Sequence, residues 1–127
     1  MIVLDTSVLV DALTGPRRSA GALRGAIESG QRLLVPAMVM YEWLRGPRLA
    51  EELDAQEALF PRKASLPFGD EEAALAARLY GEVARPRGRE IDLAIAASAL
   101  ARGASLWTLN ASDFRDIPEL ALYRPDR

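Results

Sequence analysis

Ile2-Val3-Leu4-Asp5-Thr6-Ser7 is an apolar run that ends abruptly on a carboxylate and two hydroxyls. The apolar part reads as a short buried strand. Thr6 or Ser7 can cap a helix that continues to about Leu13, where Gly15-Pro16 stops it. A strand passing directly into a helix opens a β–α unit, and the rest of the chain repeats that alternation. A second helix is expected from about Arg17 to Ser29, ended by Gly30, with Gly21 and Gly25 permitting close packing on a neighbour. Leu33-Leu34-Val35 is a second short strand, and Pro36 suits the first turn of the helix that carries Met38, Val39, Glu42 and Leu44 to Gly46-Pro47. A polar helix follows from about Pro47 to Leu59, and Ala64 to Phe68 reads as another strand. Asp70 starts a helix with Leu75, Leu79 and Val83 spaced by four, and an Ala-rich helix runs from about Glu90 to Ala101 before Gly103. Ala104 to Leu109 is strand-like, and Leu120 to Tyr123 is expected as a last edge strand. The pattern predicts an α/β fold in one domain, residues 1–127, with a mainly parallel central sheet of four to five short strands flanked by helices.

In such sheets, ligand sites form beyond the carboxyl ends of the strands. Asp5 and Asn110 fall at those ends, and Asp113 lies on the loop that follows. Four carboxylates, Asp5, Glu42, Asp92 and Asp113, sit against apolar sequence, where an acid is costly unless something cationic compensates it. Asp5 reads equally well as a helix cap. Glu42 has only Arg45 as a basic neighbour, at a spacing that also fits a surface ion pair. Asp92, within Ile91-Asp92-Leu93-Ala94-Ile95, can offset a helix dipole, though Glu90 does so more cheaply. Asp113 and Asn110 can each cap a local turn. The set, rather than any single acid, points to a bound cation. With no His and no Cys in the chain, hard ions such as Mg²⁺ or Mn²⁺ are the expected partners.

The chain of 127 residues, half of them apolar, suits one globular core. No apolar run is long enough to span a bilayer, no signal peptide is read before the first strand, and the lack of Cys is compatible with a reducing cytoplasm. A net charge of −2 argues against a generic polyanion binder. Of the 16 basic residues only Lys63 is a lysine, and arginine favours bidentate phosphate recognition. Arg85-Pro86-Arg87-Gly88-Arg89, a loop just before Asp92, is a better nucleic-acid candidate than the pairs Arg17-Arg18 and Arg45/Arg48.

Four segments in this order resemble a PIN domain, most closely the VapC-type toxin ribonucleases of prokaryotic toxin–antitoxin pairs. They are Ile2-Val3-Leu4-Asp5-Thr6-Ser7, Val35-Pro36 leading to Tyr41-Glu42, Asp92-Leu93-Ala94-Ile95-Ala96-Ala97-Ser98-Ala99, and Leu106-Trp107-Thr108-Leu109-Asn110-Ala111-Ser112-Asp113-Phe114. The resemblance implies a single PIN-like domain whose metal site is Asp5, Glu42, Asp92 and Asp113, supported by Thr6 and Asn110. It implies a Mg²⁺- or Mn²⁺-dependent endoribonuclease that cleaves RNA phosphodiester bonds by metal-activated water, leaving 5′-phosphate and 3′-hydroxyl ends. Arg87 and Arg89 are candidate RNA contacts. A homodimer and a cognate antitoxin are also implied; the Gly21/Gly25 helix and Val8-Leu9-Val10 are candidate contact faces that read equally as intrachain core. A catalytically weak RNA- or antitoxin-binding module is the alternative. A phosphatase using Asp5 as nucleophile is disfavoured, because the second acid of the haloacid dehalogenase opening is replaced by Ser7, and no Gly-Lys-Ser/Thr phosphate loop is present.

Overall fold

A computed structural model describes residues 1–125 of the chain. Its centre is β1 (Ile2–Leu4), flanked by β2 (Leu33–Leu34) and β3 (Ser105–Trp107) in the order β2-β1-β3. Both pairings are parallel, with Val3 opposite Leu34 and Leu106, and Leu4 opposite Trp107. All three residues of β1 are buried, with no polar alternation, as a parallel strand covered on both faces requires. Among the described residues no helix is long and apolar enough to cross a membrane.

Six helices surround the sheet: α1 (Thr6–Leu13), α2 (Ala20–Glu28), α3 (Ala37–Arg45), α4 (Ala50–Leu59), α5 (Asp70–Glu82) and α6 (Glu90–Ala101). The helix packing α6 along β1 and β3 is buried without a break from Leu93 to Ala99, because α5 covers its outer side. α1 packs against α2, α3 and α4, and its Val8 and Leu9 lie in the chain's own core. Trp43, Trp107 and Phe114 are the largest fully buried side chains. Gln56 is the polar anchor of α4: it accepts a hydrogen bond from Trp43 Nε1 at 3.2 Å and donates to the Phe60 carbonyl at 3.0 Å. The otherwise polar helix is thereby tied to α3.

Three expectations are corrected. Among the described residues the sheet has three strands rather than four to five. The Ala64–Phe68 and Leu120–Tyr123 segments each form only an isolated parallel bridge, Pro36 with Leu66 and Leu106 with Leu122. At the first, Arg62–Ala64 turns as a 3-10 helix and the Ala64 amide already donates to the Pro61 carbonyl, so no further rung forms on that side. At the second, Tyr123 N donates to Leu106 O, but the next amide in register would belong to Pro125, which has none. The second correction concerns α2. A Cβ built on Gly21 or Gly25 meets nothing within 4 Å, so these glycines serve no close helix packing within the chain. The cap of α1 also differs: Asp5, not Thr6 or Ser7, is its N-cap residue.

Candidate active site

β1 delivers Asp5 to the carboxyl edge of the sheet, where its amide donates to Trp107 O at 2.9 Å, one step beyond the last register pair. The residue is 5% exposed. Although it stands at the N-cap, its side chain makes no capping bond. Its Oδ2 instead accepts from Ser7 Oγ at 2.8 Å and from Thr108 Oγ1 at 2.7 Å. Each hydroxyl is itself oriented by a backbone donor, Leu109 N to Ser7 Oγ and Asn110 N to Thr108 Oγ1, both at 3.0 Å. A hydroxyl that accepts from an amide must turn its own proton elsewhere, here onto Asp5. Both hydroxyls converge on one oxygen, and Oδ1 has no donor among the described residues; since no buried polar atom lacks a partner, Oδ1 retains access to solvent.

Glu42 projects from the middle of α3. Its Oε1 accepts from Thr6 Oγ1 at 2.6 Å, and its Oε2 lies 3.5 Å from Arg45 Nη2. Thr6 is therefore a support for Glu42. Asp92 occupies the first turn of α6 and is half-buried. Its carboxyl is pushed up to about 6, first by burial and then by the negative fields of Asp5, Asp113 and Glu42; the positive field of Arg89 opposes them. The fields of all three other acids therefore reach Asp92.

An open groove of about 440 Å³ is lined by Asp5, Thr6, Ser7, Glu42, Asp92 and Asn110, with Val10, Asp11 and Leu109 completing its wall. The four sequence-identified acids thus divide. Asp5, Glu42 and Asp92, from three different elements, share the groove. Asp113, exposed at the end of the 3-10 turn Ala111–Asp113, is not part of its lining and acts on it through its field. Asn110 is brought in, with its carbonyl accepting from Asp113 N at 2.9 Å. Arg87 is exposed on the loop before α6.

The side chain of Arg89 is committed within the chain. Its Nη1 and Nη2 fork onto the Asp116 carboxylate at 2.9 and 2.7 Å, Nη2 also donates to Asp113 O at 2.9 Å, and Nη1 to Ala84 O at 3.3 Å. This pairing holds Asp116 below the usual carboxylate range and Arg89 above its ordinary value. Arg48 is likewise structural: its guanidinium stacks 4.2 Å from the Trp43 ring and donates to Trp43 O.

The residues that sequence reasoning passed over are Thr108, Asp11 and Asp116, and the carboxylate-orienting role of Ser7. Thr108 carried a usable signal, since it is the first polar residue after the buried end of β3. The donor chemistry of the groove is all oxygen, which fits a hard divalent cation and no soft one. The side chains as they stand are braced by Thr6, Ser7, Thr108 and Arg45, and among the described residues no three acids are gathered tightly enough to coordinate a single ion.

The family model for the PIN domain matches residues 2–120. Ribonuclease VapC19 of Mycobacterium tuberculosis is 32% identical over 126 residues, covering 94% of this chain and 97% of that protein. This chain is a PIN domain of the VapC ribonuclease family. Its fold recurs in DNA-bound VapBC from Salmonella typhimurium, with a TM-score of 0.81, 22% identity and 96% of each chain covered. VapBC2 from Rickettsia felis, solved with a DNA fragment from its promoter, gives a TM-score of 0.74 at 21% identity, covering 99% of this PIN domain and 100% of that chain. The matched PIN region contains all four acids and both supporting hydroxyls of Asp5.

Proposed function

We propose that this PIN domain is a Mg²⁺- or Mn²⁺-dependent endoribonuclease toxin, inhibited by a cognate antitoxin and working in the cytoplasm. The observation that carries the reading is the groove in which Asp5, Glu42 and Asp92 converge from three elements, with Asp92 pushed up to about 6 by burial and by the other acids. Such a site is unfavourable by itself and is relieved by positive charge. A divalent ion bound there supplies Lewis acidity and lowers the pKa of a water near the scissile phosphate. The chain's own residues do the positioning. Ser7 and Thr108 fix the rotation of the Asp5 carboxylate, so that Oδ1 is the oxygen offered to the groove. Thr6 holds Glu42 by its Oε1. Asp113 acts from the rim, and Asn110 presents a polar wall to the RNA. No side chain with histidine-like acid–base chemistry is required, which agrees with a chain that has none.

Arg87 is the proposed phosphate contact on the loop before α6, with substrate chosen by RNA shape as well as charge. Removing it is expected to weaken RNA binding and lower the salt slope by about 1. An unchanged slope in Arg87→Ala rejects this contact. The antitoxin and a homodimer are proposed on family membership and on structural neighbours solved as VapBC assemblies. The deciding assay incubates the protein with total RNA in Mg²⁺, in Mn²⁺ and in EDTA, then maps the ends of any product. Metal-dependent cuts with 5′-phosphate ends, lost in a folded Asp5→Ala variant, support the assignment. Binding without cleavage in every metal, or persistent cleavage by metal-loaded Asp5→Ala, overturns it.

A further inference from the structure

We infer that Arg89 is a positioning residue that sets the separation of Asp92 and Asp113 by clamping the start of α6 to the turn that carries Asp113. The inference rests on the metal reading of the groove and gives Arg89 a role other than contact with RNA. Three attachments define the clamp. Arg89 is the N-cap residue of α6, and its carbonyl accepts the helix's first backbone bond, from Leu93 N at 2.9 Å. Asp92 follows three residues later, so the start of the helix and that carboxylate move as one body. Across the groove's rim, Arg89 Nη2 donates to the main-chain carbonyl of Asp113 at 2.9 Å. The same guanidinium grips Asp116 with both nitrogens, at 2.9 and 2.7 Å, and this fixes the plane of the fork.

The geometry explains why arginine is needed. One planar group must reach two acceptors on one turn, a carbonyl and a carboxylate, while also contacting Ala84 O on the loop before it. A lysine keeps the charge but is a single point donor, so it cannot hold both acceptors in plane. The Arg89 side chain is 21% exposed and four of its N–H directions are directed at protein oxygens, leaving little of it for phosphate. The separation matters because Asp92 lines the groove while Asp113 stands at its rim, and groups outside the ligands tune how tightly a bound ion is held.

The test measures Mn²⁺ binding to the metal-free full chain by the loss of the free-ion electron paramagnetic resonance signal. Wild type is compared with Arg89→Lys, Asp116→Asn and the double variant, each checked for fold by circular dichroism. The expected result is a rise in Mn²⁺ Kd of about 10–100-fold in Arg89→Lys. Asp116→Asn should behave similarly, and the double variant should be no worse than the weaker single. A pair that merely stabilises the fold lowers the urea midpoint and leaves Mn²⁺ affinity alone. Arg89→Lys is the decisive variant, because it preserves charge and removes only the fork. Wild-type Mn²⁺ affinity in Arg89→Lys and Asp116→Asn, with wild type binding normally, overturns the clamp and leaves the metal site standing. A wild type that takes up no Mn²⁺ overturns the metal reading and the clamp with it, and is recognised from the wild-type titration alone.

Discussion

Asp92→Asn should make the metal-free protein more stable near pH 8 and leave it unchanged near pH 3.5. The wild-type carboxyl titrates at about 6 in the fold, against 3.8 for its ordinary value. The folded state therefore binds this proton more tightly than the unfolded chain. Stability from this group is complete below about 3.8 and is lost as pH rises toward and through 6, the reverse of the usual behaviour of a paired carboxylate. A rise from 3.8 to about 6 corresponds to about 3 kcal/mol before solvent screening. Asp92 is only half-buried, so screening reduces this to roughly 1–2 kcal/mol. The net expectation for the neutral asparagine is a gain of roughly 1–2 kcal/mol at pH 8. Urea unfolding in EDTA at the two pH values measures it as a shift in midpoint at constant slope. Saturating Mg²⁺ should then raise the wild-type midpoint and leave Asp92→Asn nearly unmoved, because the ion stabilises only the form that binds it. A variant less stable than wild type by the same amount at both pH values would refute the electrostatic reasoning and make Asp92 an ordinary helix-start acid.

Two further outcomes follow from the hydrogen bonding. Thr108→Val removes the 2.7 Å donor to Asp5 and the acceptor for Asn110 N. Loss of about 2 kcal/mol in urea unfolding is expected, since bonds to charged groups are worth about 1.5–3 kcal/mol; the loss should shrink in an Asp5→Asn background, and equal losses in both backgrounds would show that the two do not interact. Gln56→Ala strands Trp43 Nε1 and the Phe60 carbonyl in a buried setting, so a loss of about 2–4 kcal/mol is expected, and a change below about 1 kcal/mol would mean that water or a rearranged α4 satisfies both groups.

Much of the fold was readable because local pattern and tertiary setting agree. Ile2-Val3-Leu4 is wholly apolar and is wholly buried; Asp70 starts α5 where expected; and Glu90–Ala101 is helical as its composition and the stop at Gly103 imply. The sheet edges were less readable. Leu120–Tyr123 has strand composition, but rung number depends on where Pro125 falls relative to Leu106, a register that single-chain pattern does not contain. The site shows the same division. Asp5, Glu42 and Asp92 each break an apolar context, which is visible along the chain. Arg89 looked like the other arginines of its loop, because its partner Asp116 lies 27 residues away and only the fold brings the two together. Gly21 and Gly25 misled for the opposite reason: small residues permit close approach without requiring it, and here nothing approaches.

The single rungs at Leu66 and Leu122 have a consequence for what the chain avoids. A parallel sheet with naked margins offers rows of free amides and carbonyls on which another molecule's strand can nucleate. Here a segment of the same chain meets the sheet at one rung on each side, Leu66 at Pro36 just past β2 and Leu122 at Leu106; the first is led in by a tight turn after Pro61 and the second is followed by Pro125. At both places the ladder stops after a single rung, which blunts the margin as a template for another molecule's strand.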